Sequence, residues 1–306
     1  MHKKTVIGAY VEGIIYPNPP ANLYNEIKAA GWTNIILSMY HVDITGNISF
    51  NNHRIVEGGN YIGRPEWPTL IADMKAGSKI TSISASVGGW GVTDFAHIKA
   101  IYNANNKSFA GTAMQENFRC LRRNFRAIDT IDLDCEETYD QPSFVAFCQM
   151  LIDIGYDISF CPYTFPSFWV NALYDLETYK PGAVKSWNAQ CYIGGAPNVP
   201  RLWVNAIASA MPKFNTEGFI ISGDRCRVPG RPDTTDCPAE VASRLRDFAG
   251  PYLGGGFIWT IDHIIKHQND TASDCGKNVR MEDYVNAIAD AFVTKQIKAT
   301  NGLSWK

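Results

Sequence analysis

Short apolar, β-branched segments recur along the chain at intervals of about 25 to 50 residues, and stretches with helical spacing separate them. The predicted strands are residues 5–11, 34–40, 80–87, 128–136, 158–163, 186–192, 218–222 and 256–261. Strands that alternate with helices favour a parallel sheet with right-handed crossovers. Eight such units in a chain of 306 residues are typical of a (β/α)8 TIM barrel, an α/β fold.

The main alternative is an open, doubly wound sheet, which usually carries a glycine-rich phosphate-binding turn after its first strand. Here the first predicted strand leads into the segment from Glu12 to Pro17, which lacks that turn. We therefore expect a single-domain barrel over residues 1–295 with a C-terminal tail at 296–306. The longest connection, residues 41–79, predicts a small hairpin. The roughly 30 residues between the last two strands leave no room for a large insertion domain.

Composition and charge exclude several classes of protein. The formal net charge is −2 and the pI is about 6.3, which argues against a surface that binds nucleic acid. No run approaches the roughly 20 apolar residues that span a bilayer, so we expect no membrane segment. The start of the chain lacks the cleavage pattern of a signal peptide and is interpreted as the first strand.

The eight cysteines are spread along the chain without a CxxC pair. This spacing argues against zinc ribbons and thioredoxin-like redox chemistry. Cys226 and Cys237 lie in one loop rich in Pro, Gly and Asp, so a bridge between them is one option. Most of the others are expected to be buried free thiols, and the cysteines leave the compartment of the protein open.

The fourth predicted strand carries three acidic residues at alternate positions, Asp132, Asp134 and Glu136. Side chains of a strand alternate between its two faces, so these acids share one face. The residues between them are the apolar Ile131, Leu133 and Cys135. Because the apolar face must pack under the helices, the acids are predicted to point into the barrel near its C-terminal mouth. Three anions in one cavity should raise at least one carboxyl pKa. Glu136, nearest the mouth, is the natural proton donor.

An exposed acidic edge strand and a metal site are the alternatives to this interpretation. An exposed edge would not carry such an apolar alternate face. A metal site would need further ligands at other strand ends, and the histidines do not align there. His263 and His267 are four residues apart but lack the glutamate of a zinc-binding HExxH motif, so packing or surface roles are expected. We therefore predict no metal and no cofactor.

The segment Asp129-x-x-Asp132-x-Asp134-x-Glu136 resembles the DGxDxDxE signature of glycoside hydrolase family 18, which contains chitinases and endo-β-N-acetylglucosaminidases. Ser86, Gly88 and Gly89 are similar to the family's SxGG motif. Gln190 and Tyr192 are similar to the QxY of the hevamine-like chitinases, and Tyr10, Pro162 and Trp259 resemble the family at single positions. Thr130 replaces the motif's usual glycine, and Ile193 stands where many relatives have Asp or Asn. The resemblance implies a (β/α)8 barrel with the acidic motif on strand four.

The resemblance also implies a retaining, substrate-assisted reaction. Glu136 would protonate the glycosidic oxygen and later activate water. Asp134 would orient the substrate's 2-acetamido group, whose carbonyl oxygen is the nucleophile. Asp132 would share a proton with Asp134, and Tyr192 would donate a hydrogen bond to the acetamido oxygen.

Other residues are implied to bind the saccharide: Tyr10, Gly88, Gly89, Trp90, Gln190 and Trp259. Trp259 would lie beneath the sugar at the cleavage position. Trp90 and Trp169 are options for outer sugar platforms, with core packing as the alternative for each. The expected ligands are chitin or N-acetylglucosamine oligosaccharides.

We therefore expect an endo-acting hydrolase of chitin. Two alternatives stay open: an endo-β-N-acetylglucosaminidase acting on N-glycan chitobiose cores, and a catalytically inactive chitin-binding lectin. Such a substrate suggests an extracellular site of action, although no signal peptide is recognised. The sequence leaves the oligomeric state open, with a monomer as one option.

Overall fold

The computed structural model describes residues 4–192, 198–270, 274–276 and 278–300, without the side chains of 232 and 294–300. Its strands in chain order are β1 (Val6–Val11), β2 (Asn34–Val42), β3 (Ile48–Phe50), β4 (His53–Glu57), β5 (Asn60–Tyr61), β6 (Ser82–Gly88), β7 (Thr130–Asp134), β8 (Asp157–Phe160), β9 (Val184–Ala189), β10 (Ile220–Arg225) and β11 (Leu253–Trp259). All of them except β3, β4 and β5 are parallel and close into a barrel, because β1 pairs with both β2 and β11. The predicted (β/α)8 fold is confirmed.

The helices surround the barrel and alternate with its strands. They are α1 (Leu23–Ala30), α2 (Trp67–Asp73), α3 (Asp94–Ala104), α4 (Ala113–Asn124), α5 (Gln141–Ile154), α6 (Pro166–Tyr179), α7 (Pro200–Ala210), α8 (Pro238–Asp247), α9 (Ile261–His267) and α10 (Met281–Thr300). Local sequence sets their ends. The side chain of Asp140 accepts the Ser143 N–H at the start of α5, and Gly155 ends that helix in the left-handed conformation at φ 103°.

The barrel wall separates two environments. Outward-facing strand residues such as Ile131 and Leu133 pack into one large apolar core beneath the helices. The interior instead holds a small apolar cluster of Tyr10, Ile36, Cys161, Ile221 and Phe257 beside a layer of polar side chains. A polar interior is tolerated only where its groups are hydrogen-bonded, which prepares the floor of the site.

The antiparallel strands β3, β4 and β5 extend β2 outward, so the hairpin predicted within residues 41–79 is confirmed. The buried side chain of Asn117 on α4 fastens this addition. Its amide nitrogen donates to the Gly46 carbonyl at 2.7 Å, and its amide oxygen accepts the Gly59 N–H at 2.7 Å. One side chain thus satisfies backbone groups in two turns of the addition.

Some expectations need correction. The bridge considered between Cys226 and Cys237 is wrong, because Cys237 is bonded to Cys275 across 38 residues of sequence. Cys226 directly follows β10 and is buried, whereas Cys237 lies at the start of α8 beside the segment that leads into α10. The predicted fourth strand ends at Asp134, two residues before Glu136.

The boundary between a domain at 1–295 and a tail at 296–306 stays a prediction. Helix α10 runs across it to Thr300, and residues 301–306 lie outside the described residues. The connection between β10 and β11 contains α8 and a 3-10 turn at Pro232–Thr234. Within the described ranges, no helix has the length and apolar character needed to cross a membrane.

Replacing Asn117 with alanine should destabilise the fold by about 2 kcal/mol, because it leaves one buried and one partly buried backbone group without their partner. Urea unfolding followed by circular dichroism measures this change. Asn103→Ala on the exposed face of α3 is the matched control and should change stability by less than about 0.5 kcal/mol. Equal effects of the two substitutions would contradict the role given to Asn117.

Candidate active site

A cavity of about 490 Å³ opens at the C-terminal ends of the barrel strands. Its wall includes every predicted site residue except Tyr10 and Asp132, which are buried beneath its floor. The sequence pattern explains this convergence. Alternation along β7 turns its acids inward, and the parallel arrangement brings the ends of all barrel strands to the same mouth.

Asp132 is fully buried and accepts four hydrogen bonds. One oxygen accepts from the Tyr10 and Ser86 hydroxyls, each at 2.8 Å. The other accepts from the Ser159 hydroxyl at 2.7 Å and the Asn188 amide at 2.9 Å. Burial raises the pKa of Asp132, and these four bonds act in the opposite direction because they stabilise the anion.

Asp134 and Glu136 form a coupled pair above Asp132. The Gln190 amide nitrogen donates to Asp134 at 2.8 Å and reaches Glu136 at 3.4 Å. Burial, followed by the charges of Glu136 and Asp132, raises the pKa of Asp134 well above its usual range. Burial also raises the pKa of Glu136, while the bonds from Gln190 and Asp134 lower it. Two neighbouring carboxyls of this kind hold a proton between them at pH values where isolated ones are ionised.

Aromatic rings form the floor and one wall of the cavity. Trp259 contacts the ring of Tyr10 with a centroid distance of 5.2 Å, and Tyr10 also contacts Phe257 at 5.1 Å. Burial raises the pKa of Tyr192 well above its usual range, so its hydroxyl stays protonated and able to donate. The Cys161 sulfur lies 3.4 Å from the Tyr10 hydroxyl oxygen.

The end of β6 comes unusually close to β7. The Gly89 N–H donates to the Asp134 carbonyl at 2.8 Å. Gly88 has a φ of 106°, and a Cβ atom there would lie 2.2 Å from that carbonyl oxygen, so only glycine is tolerated. The next residue, Trp90, projects from the rim with 85% of its surface exposed.

Trp169 does not line the cavity. It is 0% exposed, and its indole nitrogen donates to the Thr164 carbonyl at 2.9 Å, so the option of a sugar platform is wrong for this residue. Thr130 is buried in β7, where its hydroxyl donates to Asp129 at 2.9 Å. Ile193, the other departure from the family pattern, lies outside the described residues.

Sequence reasoning missed four polar residues that line the cavity: Glu12, His41, Tyr163 and Arg225. Each lies at or just beyond the end of a predicted strand, which was the available signal. His41 is held by Asp94 at 2.9 Å. Of the described residues, only Cys237, Asp274 and Cys275 cluster with metal-ligand spacing, and the two sulfurs are bonded to each other.

The arrangement can hold and deliver a proton. Glu136 is half-buried at the cavity surface, and its neighbour Asp134 is buried below it. A raised pKa keeps a carboxyl protonated at higher pH, as a general acid requires. The Gln190 amide fixes the relative positions of the two groups.

Replacing Asp134 with asparagine should stabilise the fold at pH 7 by a few degrees in melting temperature. A raised folded-state pKa means that wild-type stability falls as pH rises from the unfolded value, about 3.9, through the folded value. Asparagine removes this loss and can still accept from Gln190. Calorimetry from pH 3 to 8 measures the melting temperatures of the variant and the wild type. The difference between them should vanish near pH 3. Asp73→Asn on the exposed end of α2 is the control, and a less stable D134N at pH 7 would refute the argument.

No protein-family model and no curated protein sequence matches the chain. Solved structures match over nearly its whole length. A GH18 chitinase from Pseudoalteromonas aurantia has a TM-score of 0.62 and 14% identity, covering 94% of this chain and 100% of that one. The catalytic domain of a hyperthermophilic chitinase from Pyrococcus furiosus has a TM-score of 0.64, 11% identity and 96% coverage of both chains.

A chitinase catalytic domain from Ostrinia furnacalis, solved as a mutant with a bound N-acetylglucosamine oligosaccharide, has a TM-score of 0.60 and 12% identity. It covers 96% of this chain and 97% of its own. The identities are low, so these matches describe the fold. The chain is therefore similar in fold to the catalytic barrels of GH18 chitinases, which is the fold that its sequence motifs implied.

Proposed function

We propose that the protein is an endo-acting glycoside hydrolase that cleaves β-1,4 links between N-acetylglucosamine residues of chitin. The observation that carries this proposal is the column of Asp132, Asp134 and Glu136 rising from the barrel interior into a cavity with an aromatic floor. Solved chitinases share the fold in which this column is set. Buried acids below a half-buried one suit protonation of a glycosidic oxygen.

In the first step, Glu136 donates its proton to the glycosidic oxygen, and the bond from that oxygen to C1 breaks. The substrate's own 2-acetamido carbonyl oxygen forms a bond to C1, giving an oxazolinium ion. Asp134 accepts the acetamido N–H and stabilises the positive charge. Tyr192 donates to the acetamido oxygen and holds it below C1, as expected for a preorganised donor.

In the second step, Glu136 accepts a proton from water, the water oxygen attacks C1, and the acetamido group is released. Two displacements at C1 retain the anomeric configuration. Asp132 contributes through its negative charge, which raises the pKa of Asp134. This charge therefore influences the proton that Asp134 and Glu136 hold between them. Its four donors support this role, because they hold the anion in place.

An open groove supports cleavage within a polymer. The connection between β10 and β11 contains only one helix and a short turn, which is too little for an insertion domain that would wall the groove. Trp90 on the rim offers an exposed indole face on which a sugar ring can stack. Trp259 lines the same cavity as Glu136, which suits a sugar seated at the cleavage position.

Glu136→Gln should lower the turnover of N-acetylglucosamine hexamer by about 100- to 10,000-fold, because it removes the group that donates and accepts the proton. Release of new reducing ends and the anomeric form of the products measure this. The wild type should release β-anomers first. Glu137→Gln is the matched control: its carboxylate accepts the Val92 N–H outside the catalytic column, so most activity should remain.

Other outcomes identify the alternatives. Binding of the hexamer without turnover would indicate a lectin. Cleavage of a high-mannose glycoprotein with no cleavage of the hexamer would indicate an endo-β-N-acetylglucosaminidase. Products that appear first as α-anomers would contradict the substrate-assisted mechanism.

A further inference from the structure

The cavity wall contains a third acidic residue, Glu12, which lies outside the catalytic column. Glu12 follows the end of β1, whereas Glu136 follows the end of β7. By the shorter way around the barrel, β2 and β6 lie between these strands. Three strand spacings of about 4.8 Å each therefore separate the two positions along the wall. The sugar unit that lies beside Glu12 is therefore a different unit of the bound chain from the one that is cleaved beside Glu136.

Glu12 is partly buried, and no cation lies within ion-pair distance of it in the described part of the chain. Asp262 on α9 adds a second negative charge beside Glu12. Its carboxylate accepts the Glu12 N–H at 2.7 Å and the Ile14 N–H at 2.8 Å. Burial and the charge of Asp262 raise the pKa of Glu12 to about 7. Burial and a neighbouring negative charge both disfavour an ionised carboxyl at this position on the cavity wall. Such a carboxyl suits a ligand that brings a positive charge to it.

The other charged groups around Glu12 leave it able to bind a cation. The Thr260 hydroxyl and the more distant Arg225 stabilise the anion and keep part of the population ionised near neutral pH. Arg225 pairs in register with Trp259 at the end of β10 and also lines the cavity. His263 on α9 is partly buried with its pKa lowered, mainly by burial, and is therefore neutral at pH 7.

We propose that the Glu12 carboxylate binds the 2-ammonium group of a glucosamine residue, so that the preferred substrate is partly deacetylated chitin. This inference rests on the proposed function. The sugar at the cleavage position must keep its acetamido group, because that group is the nucleophile. Glucosamine is therefore favoured only at the position beside Glu12. A compact ammonium group with three donors suits a single carboxylate, whereas the neutral acetamido group offers no charge.

Cleavage of a partly deacetylated chitin by the whole protein tests the proposal, with the sequences of the products read by mass spectrometry. Each new reducing end should be N-acetylglucosamine. One other position, fixed relative to the cleaved bond, should be enriched in glucosamine by about tenfold over the substrate, as one hydrogen bond between charged groups provides. In Glu12→Gln that enrichment should disappear. Glu57→Gln, which removes an exposed charge on β4, should keep it.

A merely structural role for Glu12 would slow the cleavage of all sequences alike and leave the enrichment unchanged, which would overturn the proposal. Raising the salt concentration should reduce the enrichment of the wild type, because screening weakens a partly exposed ion pair. Enrichment that does not depend on salt would also count against it.

Binding to the Glu136→Gln variant separates this inference from the proposed function. Calorimetric titration compares the N-acetylglucosamine hexamer with hexamers of mixed acetylation, with and without Glu12→Gln. Tighter binding of the mixed hexamers that is lost with Glu12→Gln supports the inference even if the wild type hydrolyses nothing. Equal affinities refute it even if the wild type cleaves chitin.

Discussion

Buried negative charge is the constraint on which the architecture of this barrel depends. Asp132 has no access to water, so its two oxygens must be satisfied by protein donors. Those donors, Tyr10, Ser86, Ser159 and Asn188, come from β1, β6, β8 and β9. One carboxylate therefore ties four strands to β7 and fixes their register at the mouth. The barrel interior is polar at this level for that reason, and the large apolar core lies in the outer shell beneath the helices.

The same constraint makes the site less stable than an apolar core would be. Asp134 is buried between Asp132 below and Glu136 above, and both neighbours disfavour its ionised form. In the proposed mechanism, this electrostatic cost is what makes the chemistry possible, because a proton held by two crowded carboxyls is available for transfer. Stability lost at an active site in this way is a common cost of function. The Gln190 amide limits the loss by bonding to Asp134.

The sequence predicted the barrel and the inward face of β7 because both follow from local periodicity. Alternation of acids with Ile131 and Leu133 leaves one arrangement in which the apolar side chains reach the core. Contacts between distant segments could not be read in this way. Trp90 and Trp169 were equivalent as candidates, yet one is exposed on the rim and the other is in the core, since only the packing of α6 decides it. The pairing of Cys237 with Cys275 likewise depends on a contact between distant segments of the chain. For Glu12 and Arg225 the sequence offered only their position near the end of a predicted strand, because their contribution depends on the cavity that other strands complete.

Two glutamates of one cavity differ in what surrounds them, and this difference separates their roles. Glu136 has the Gln190 amide and the Asp134 carboxyl beside it, so it can share a proton with Asp134. Glu12 also has a carboxyl beside it, that of Asp262, but both oxygens of Asp262 accept backbone N–H bonds, and its other neighbour is the Thr260 hydroxyl. We propose that the first carboxyl acts as acid and base, because its partners hold a proton with it, and that the second binds a cationic group of the ligand. In that proposal, the position of each acid on the barrel rim would determine which sugar of a bound chain it contacts.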